Sequence, residues 1–212
     1  KKKKKVREWN SFRQVGIYAA CNQMCGLCWV AMLKLEPNKY YHIYNRGNNK
    51  ERLFYSPDNY EYFLSKFNHH CFHVFNTYCY CLMSNHFHFL ESVRSVAEQK
   101  RLFTDSNLKS KVLRSPSRHL SNFFNSYTQS INKERNRTGA LFQRPFKRKE
   151  VDSDEYFRKL IVYIHQNPVH HNFTKSFKDY SYSSYSHFLN FDEDSFLNRE
   201  KVIELFWRSG KF

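Results

Sequence analysis

Glycine and proline are scarce in this sequence, with five residues of each among 212. A chain so poor in both is neither a collagen-like repeat nor a flexible Pro/Gly-rich array. No run of about 18 apolar residues occurs, so we expect no membrane-spanning helix and no membrane partner. Acidic residues are also few, since 19 Asp and Glu stand against 35 Lys and Arg. These absences leave a folded, basic protein.

The surplus of basic residues gives a formal net charge of +16. Such an excess indicates a polyanionic partner, for which nucleic acid is the strongest candidate. Aromatic residues make up 18% of the chain, enough to fill a core and to leave rings for stacking on bases. The length fits one compact domain.

The first 31 residues differ from the rest. They begin with five lysines and carry seven basic residues against one acid, a net charge of +6, so residues 32–212 keep +10 of the +16. We interpret residues 1–31 as a basic extension that is not native, with Met32 as the natural start. Residues 32–190 then form the main domain, and residues 191–212 a helical appendage.

A cysteine motif in the extension offers a competing function. The spacing of Cys21, Cys25 and Cys28 is similar to that of radical S-adenosylmethionine enzymes, in which three thiolates hold a four-iron cluster. No glycine-rich cofactor segments or repeated strand-helix units follow, so we reject an iron–sulfur cluster. The remaining cysteines are interpreted as buried thiols in a reducing, cytoplasmic compartment: Cys71, Cys79 and Cys81.

The hydrophobic pattern predicts a mixed order of strands and helices. Strands are expected at residues 39–45, 74–82 and 86–93, of which the last two form a hairpin. Helices are expected at residues 57–67, 120–133, 154–166 and 199–206, with a short strand or basic loop at 140–151. This order predicts an α+β fold in which helices pack on an antiparallel sheet.

The candidate for chemistry is the triplet His86-Phe87-His88 inside a predicted strand. Because side chains alternate along a strand, the two imidazoles point the same way, about 7 Å apart at the Cα atoms, while Phe87 enters the core. Two such imidazoles can converge on one cation. A histidine pair on a strand is also a common surface feature, so the triplet alone leaves both interpretations open.

Tyr127 lies in the apolar stripe of the helix predicted at residues 120–133. By periodicity alone it is a residue at the edge of the core. In the functional alternative it lies beside the histidines, where its phenolate could act as a nucleophile.

Four ordered segments resemble the single-tyrosine HUH transposases, and especially the REP-associated tyrosine transposases. The resemblance covers roughly residues 35–185. The resemblance implies a ferredoxin-like or RRM-like HUH endonuclease fold. The segments are residues 41–48 (YHIYNRGN), 82–90 (LMSNHFHFL), 139–147 (GALFQRPFK) and 163–169 (YIHQNPV).

The resemblance also implies a reaction. His86 and His88 would bind Mg²⁺ or Mn²⁺, which polarises the scissile phosphate. Tyr127 would be the nucleophile that forms a 5′-phosphotyrosine bond and releases a 3′-hydroxyl able to rejoin the strands later. No nucleotide cofactor is needed, and the substrate would be single-stranded or hairpin DNA, bound by a monomer or a homodimer.

Two positions depart from the family pattern. Relatives commonly supply a third metal ligand one turn after the nucleophile, but that position here is Ile131. Asn132 is our preferred substitute, and Gln129 is the other nearby amide. The family usually has proline where this chain has Ser84, which could loosen the turn before the histidines.

Basic and aromatic residues around these segments fit a DNA substrate, although each alone could be a solvated charge or a core ring. We expect phosphate contacts from Arg46, Arg144, Lys147, Arg148 and Lys149, and base stacking on Tyr44, Phe142 or Phe146.

Two other functions stay open. A non-catalytic nucleic-acid-binding protein that kept the fold would explain the missing ligand at Ile131. A relaxase or replication initiator is disfavoured, because those enzymes commonly have a third histidine near the pair and none follows within this strand.

Overall fold

The computed structural model describes residues 33–105, 113–191 and 195–207. The extension at residues 1–31 and its three cysteines lie outside these described residues. Among the described residues, no helix has the length and apolar character needed to cross a membrane. The elements are β1 Tyr40–Arg46, α1 Pro57–Cys71, β2 Phe75–Met83, β3 His86–Val93, α2 Val96–Asp105, α3 Pro116–Glu134, β4 Lys147–Val151, α4 Asp154–His170 and α5 Arg199–Trp207.

The strands form one antiparallel sheet in the order β2-β3-β1-β4. This order along the chain and across the sheet is ferredoxin-like, so the predicted α+β fold is confirmed. Residues 140–151 were expected to form either a short strand or a basic loop. They contain the strand β4, which pairs with β1 at the edge of the sheet. In the register, Tyr44 lies opposite both His88 and Lys147, and Arg46 lies opposite His86. Since directly paired residues share a face, these side chains occupy one side of the sheet.

One face of the sheet packs on α1 and α3. Phe87 and Phe89 of β3 are no more than 1% exposed, and Phe89 stacks on Phe67 of α1 with ring centroids 4.4 Å apart. Phe63 of α1 contacts Phe123 of α3 edge to face at 4.8 Å. Each buried aromatic ring of this core contributes about 1.5–3 kcal/mol through the area removed from water.

The opposite face packs on α4 and α5. Leu90 of β3 and Val151 of β4 join Leu160 and Ile164 of α4 in a second apolar cluster. Ser153 caps α4 by accepting a hydrogen bond from the Tyr156 backbone N–H. With helices on both faces, the central strand β3 is buried along nearly its whole length.

The cysteines within the described residues are free and buried, as predicted. Burial raises the pKa of Cys71 and Cys79 well above its usual value, so both stay protonated thiols.

Glu91 of β3 is fully buried, and its side chain accepts a hydrogen bond from Thr77 Oγ1 at 3.0 Å. Burial raises its pKa well above the usual 4.5. The folded protein therefore holds this proton more tightly than the unfolded chain, and stability falls as pH rises from about 4.5 toward the folded pKa. We expect Glu91→Gln to raise the free energy of unfolding at pH 8, by up to about 1.4 kcal/mol per pH unit of the shift.

Thermal melts of Glu91→Gln and the parent protein at pH 4 and pH 8 test this prediction. The difference should be large at pH 8 and nearly absent at pH 4. Glu61→Gln on the exposed side of α1 is the matched control and should show no such pH dependence. A Glu91→Gln variant that gains no stability at pH 8 would contradict the prediction.

Candidate active site

His86 begins β3, next to the turn that joins it to β2. Its Nδ1 donates to the Asn85 side-chain oxygen at 2.6 Å, which leaves a lone pair on Nε2. That Nε2 is buried and has no hydrogen-bond partner in the described part of the chain. Burial first, then His171 and Arg46, lower the pKa of His86 to about 4, so the ring is neutral at pH 7. Ser84 stands in this turn where the family usually has proline. The turn is nevertheless fixed by a hydrogen bond in which the Ser84 carbonyl accepts from the Leu53 N–H at 2.7 Å.

His88 lies two residues along the same strand and is held by a third histidine. Its Nδ1 is 2.8 Å from Nε2 of His42 on β1, and the rings stack with centroids 5.0 Å apart. Tyr44 stacks on His42 at 4.6 Å and so extends the layer. Burial lowers the pKa of His88 well below its usual value and that of His42 to about 3. Both rings are therefore neutral, and one nitrogen of the pair donates to the other.

Helix α4 places a tyrosine over these rings. Tyr163 lies edge-on to His88 and His42, with ring centroids 5.8 Å and 6.3 Å away. Asn167, one turn later, is 1% exposed, and its side-chain N–H donates to the Tyr163 carbonyl at 2.9 Å. His171 follows after another turn, with its ring 4.8 Å from that of His86. Two positions of α4 one turn apart, and the residue that caps its C-terminus, thus line up along His88 and His86 of β3.

The expected position of Tyr127 beside the histidines is wrong. Tyr127 lies on α3, which packs on the other face of the sheet, and it is fully buried. Its hydroxyl donates to the Leu53 carbonyl at 2.8 Å, and its ring contacts Phe63 edge to face at 4.9 Å. Burial raises its pKa above the usual 10, which disfavours a phenolate. Tyr127 has the environment of a structural residue, as its periodicity indicated.

The substitute metal ligand Asn132 also lies away from the histidine pair. Its side chain donates to the Gly139 carbonyl at 3.0 Å and accepts from the Arg137 guanidinium at 2.6 Å. Ile131, at the position of the missing ligand, is 1% exposed in the same core as Tyr127. Both residues belong to the α3 side, so neither can reach an ion at His86 and His88.

Three of the predicted DNA-binding cations surround the histidines. Arg46 pairs with His86 across β1 and β3, and its Nε donates to the Gln143 side chain at 3.0 Å. Lys147 and Lys149 of β4 lie opposite Tyr44 and His42, so they share the histidine face. All three side chains are exposed. They form a basic rim beside the imidazoles.

The other two predicted cations face elsewhere. Arg148 points to α3, where it donates to Ser117 Oγ at 2.7 Å and lies 4.2 Å over the Phe146 ring. Arg144 is exposed but approaches Asn125 of α3 at 3.5 Å. Phe142 is 5% exposed within the α3 core, and Phe146 packs against the same core. Of the predicted stacking rings, only Tyr44 therefore lies beside the histidines.

A bound cation would find a preorganised donor at His86, because its buried Nε2 carries a lone pair and has no other partner among the described residues. His88 and the Asn167 amide supply further donors of suitable types. Within residues 33–105, 113–191 and 195–207, no three His, Cys, Asp or Glu side chains are already gathered around one point. The observation that fits a cation is the orphaned Nε2 of His86, with the ring of His88 5.5 Å away between centroids.

Four residues of this site were missed in the sequence: His42, Tyr163, Asn167 and His171. A usable signal was present for two of them. Tyr163 and Asn167 lie inside the segment YIHQNPV, and they have the tyrosine-to-amide spacing of one helical turn that Tyr127 lacks. His42 and His171 give no such signal, because only strand pairing and helix placement bring them to the pair.

The fold is similar to that of a solved structure described as a REP-associated tyrosine transposase bound to a REP hairpin. The two chains are 13% identical, the alignment covers 82% of this chain and 90% of that one, and the TM-score is 0.57. The resemblance read from the sequence is thereby confirmed at the level of the fold. No family model matches this chain, and no curated protein matches it.

Proposed function

We propose that this protein is a single-strand DNA endonuclease and strand transferase of the tyrosine transposase type, with Tyr163 as its nucleophile. The observation that carries the proposal is the placement of Tyr163 edge-on to His88 at 5.8 Å, on the face that also holds His86. A phenol and two neutral imidazoles within one layer are the groups that metal-assisted phosphoryl transfer requires.

The proposed step exchanges one phosphoester for another. The Tyr163 hydroxyl oxygen bonds to phosphorus while the bond between phosphorus and the DNA 3′-oxygen breaks. The phenol loses its proton, and the 3′-oxygen gains one. Because the new 5′-phosphotyrosine keeps the ester bond energy, the released 3′-hydroxyl can reverse the exchange on the same or another strand without a nucleotide cofactor.

A divalent ion, Mg²⁺ or Mn²⁺, would be held by His86 Nε2, His88 and the Asn167 amide. Bound there, it supplies Lewis acidity to the phosphate oxygens. Asn85 and His42 do the positioning, since each contacts Nδ1 of one ligand imidazole and so fixes which nitrogen is left for the ion. Asn167 takes the place assigned to Asn132 in the sequence, because it lies one turn after Tyr163.

The substrate class follows from the charge and from the solved neighbour. Residues 32–212 carry a net charge of +10, and Arg46, Lys147 and Lys149 line the rim of the site. The neighbour was solved with a REP hairpin. We therefore propose hairpin DNA with a single-stranded flank as the substrate, its phosphates on the rim and a base beside Tyr44.

The experiment is a cleavage reaction on labelled hairpin oligonucleotides in Mn²⁺, resolved on a denaturing protein gel. The proposal predicts a covalent protein–DNA adduct on the strand fragment that carries the 5′-phosphate, together with a free 3′-hydroxyl fragment. Tight binding without any adduct across hairpins and flanks would favour the non-catalytic alternative. That alternative was supported mainly by the absence of a metal ligand at Ile131, one turn after Tyr127. If Tyr163 is the nucleophile, the corresponding position is Asn167, and the argument from Ile131 no longer applies.

Replacing Arg46, Lys147 and Lys149 together by alanine should weaken hairpin binding for every sequence. The binding constant K falls as salt rises, and each lost phosphate contact makes the slope of log K against log salt less steep by about 1. The slope of the triple variant should therefore be less steep by about 3. Fluorescence anisotropy across a salt series measures this slope. Arg118→Ala, an exposed cation on α3, is the control and should leave the slope unchanged. An equal loss in both variants would mean that the rim has no special part in binding.

A further inference from the structure

We propose that His171 is an additional imidazole ligand of the ion held by His86 and His88, which makes this a three-histidine centre. This inference rests on the proposed function, because it concerns the same ion. It is carried by the ring contact between His171 and His86, whose centroids are 4.8 Å apart with planes 73° from parallel.

The backbone of His171 is fixed beside the pair by the end of α4. Its N–H donates to the Asn167 carbonyl at 3.0 Å, so it closes the last turn of the helix. Asn172 follows in the left-handed region with φ 59°, which ends the helix there. The residue thus occupies the i+8 position of the face that begins with Tyr163. Its location is set by the same helix that would supply the nucleophile.

The side chain of His171 is exposed, whereas those of its two partners are largely buried. No three potential ligand side chains are gathered around one point in the described ranges, so coordination requires His171 to turn. An exposed side chain changes between staggered rotamers at little cost. The neighbouring ring is that of His86, whose buried Nε2 has no hydrogen-bond partner among the described residues. An ion between the two rings would satisfy the buried Nε2 of His86 and take His171 as a further ligand.

A third imidazole has a consequence for the choice of metal. Oxygen-rich sites suit Mg²⁺, while imidazole nitrogens suit Mn²⁺ less than Ni²⁺ and Zn²⁺. A centre that includes His171 should therefore have a higher ratio of Ni²⁺ affinity to Mg²⁺ affinity than a centre of two imidazoles and an amide. Losing His171 should cost at least about tenfold in Ni²⁺ affinity, as for other changes to metal-site residues, and much less in Mg²⁺ affinity.

The test uses the full chain without a histidine tag, freed of metal by a chelator and titrated with Ni²⁺ and Mg²⁺ by calorimetry. His171→Ala is compared with His69→Ala, an exposed histidine on α1 at the other side of the sheet. The number of imidazole nitrogens bound to Mn²⁺ is counted by electron–nuclear double resonance. We expect three in the parent and in His69→Ala, and two in His171→Ala.

Unchanged Ni²⁺ affinity and an unchanged nitrogen count in His171→Ala would overturn the inference. A His86→Ala variant separates this failure from that of the proposed function. If His86→Ala loses the metal and His171→Ala does not, the ion belongs to the pair alone. If neither variant changes binding, the histidine face is not a metal site, and both proposals fail.

Discussion

Replacing Tyr163 by phenylalanine is expected to abolish the covalent protein–DNA adduct and to reduce strand cleavage by about a thousandfold or more, as in other enzymes that lose their nucleophile. The substitution removes one oxygen atom and keeps the ring beside His88 and His42. Folding and hairpin affinity should therefore stay close to those of the parent. The adduct is measured on a denaturing gel, and affinity by anisotropy.

Tyr127→Phe is the matched control, because it removes the same atom from the other face of the sheet. Its hydroxyl donates to the Leu53 carbonyl inside the core, so the loss should appear as about 1 kcal/mol of stability and not as lost chemistry. Adduct formation should persist in this variant. If Tyr127→Phe abolishes the adduct while Tyr163→Phe retains it, the assignment of the nucleophile is reversed.

Changing His86 and His88 together to alanine should remove cleavage, and added manganese should not restore it fully. Both imidazoles are neutral near pH 7 because burial lowers the pKa of each, so both offer a lone pair without losing a proton first. Without them, Asn167 is the one remaining donor of the proposed set. Cleavage is measured across a manganese series, and folding by circular dichroism.

His69→Ala serves as the control for general effects of losing a histidine and should cleave like the parent. Full rescue of the double variant by manganese would mean that the pair contributes affinity without being needed at the ion. Cleavage at the parent rate without added manganese would remove His86 and His88 from the mechanism altogether.

Much of the fold could be predicted from the sequence, because two-residue and helical periods report directly which side chains are buried. Phe87 points into the core and its histidine neighbours point to the other face, as the strand alternation predicted. The helical stripe around Tyr127 correctly indicated a core residue. The expectation that Tyr127 lies beside the histidines came from matching it to the family's nucleophile, and its periodicity did not favour that position.

The site itself could be predicted only in part, because periodicity does not say which face of a sheet a helix covers. Helix α3 covers the face of Phe87, and α4 covers the face of His86. Which helix covers which face therefore determines whether Tyr127 or Tyr163 lies beside the histidines. The contact between His42 and His88 depends in addition on the pairing of β1 with β3, which brings together two residues 46 positions apart in the chain.

Identifying the tyrosine that carries the DNA tests the central claim most directly. The adduct formed with a hairpin substrate in Mn²⁺ is trimmed with nuclease, digested with protease and sequenced by tandem mass spectrometry. The proposed mechanism predicts a nucleotide remnant on the peptide that contains Tyr163. A remnant on the peptide that contains Tyr127, with Tyr163 unmodified, would contradict it.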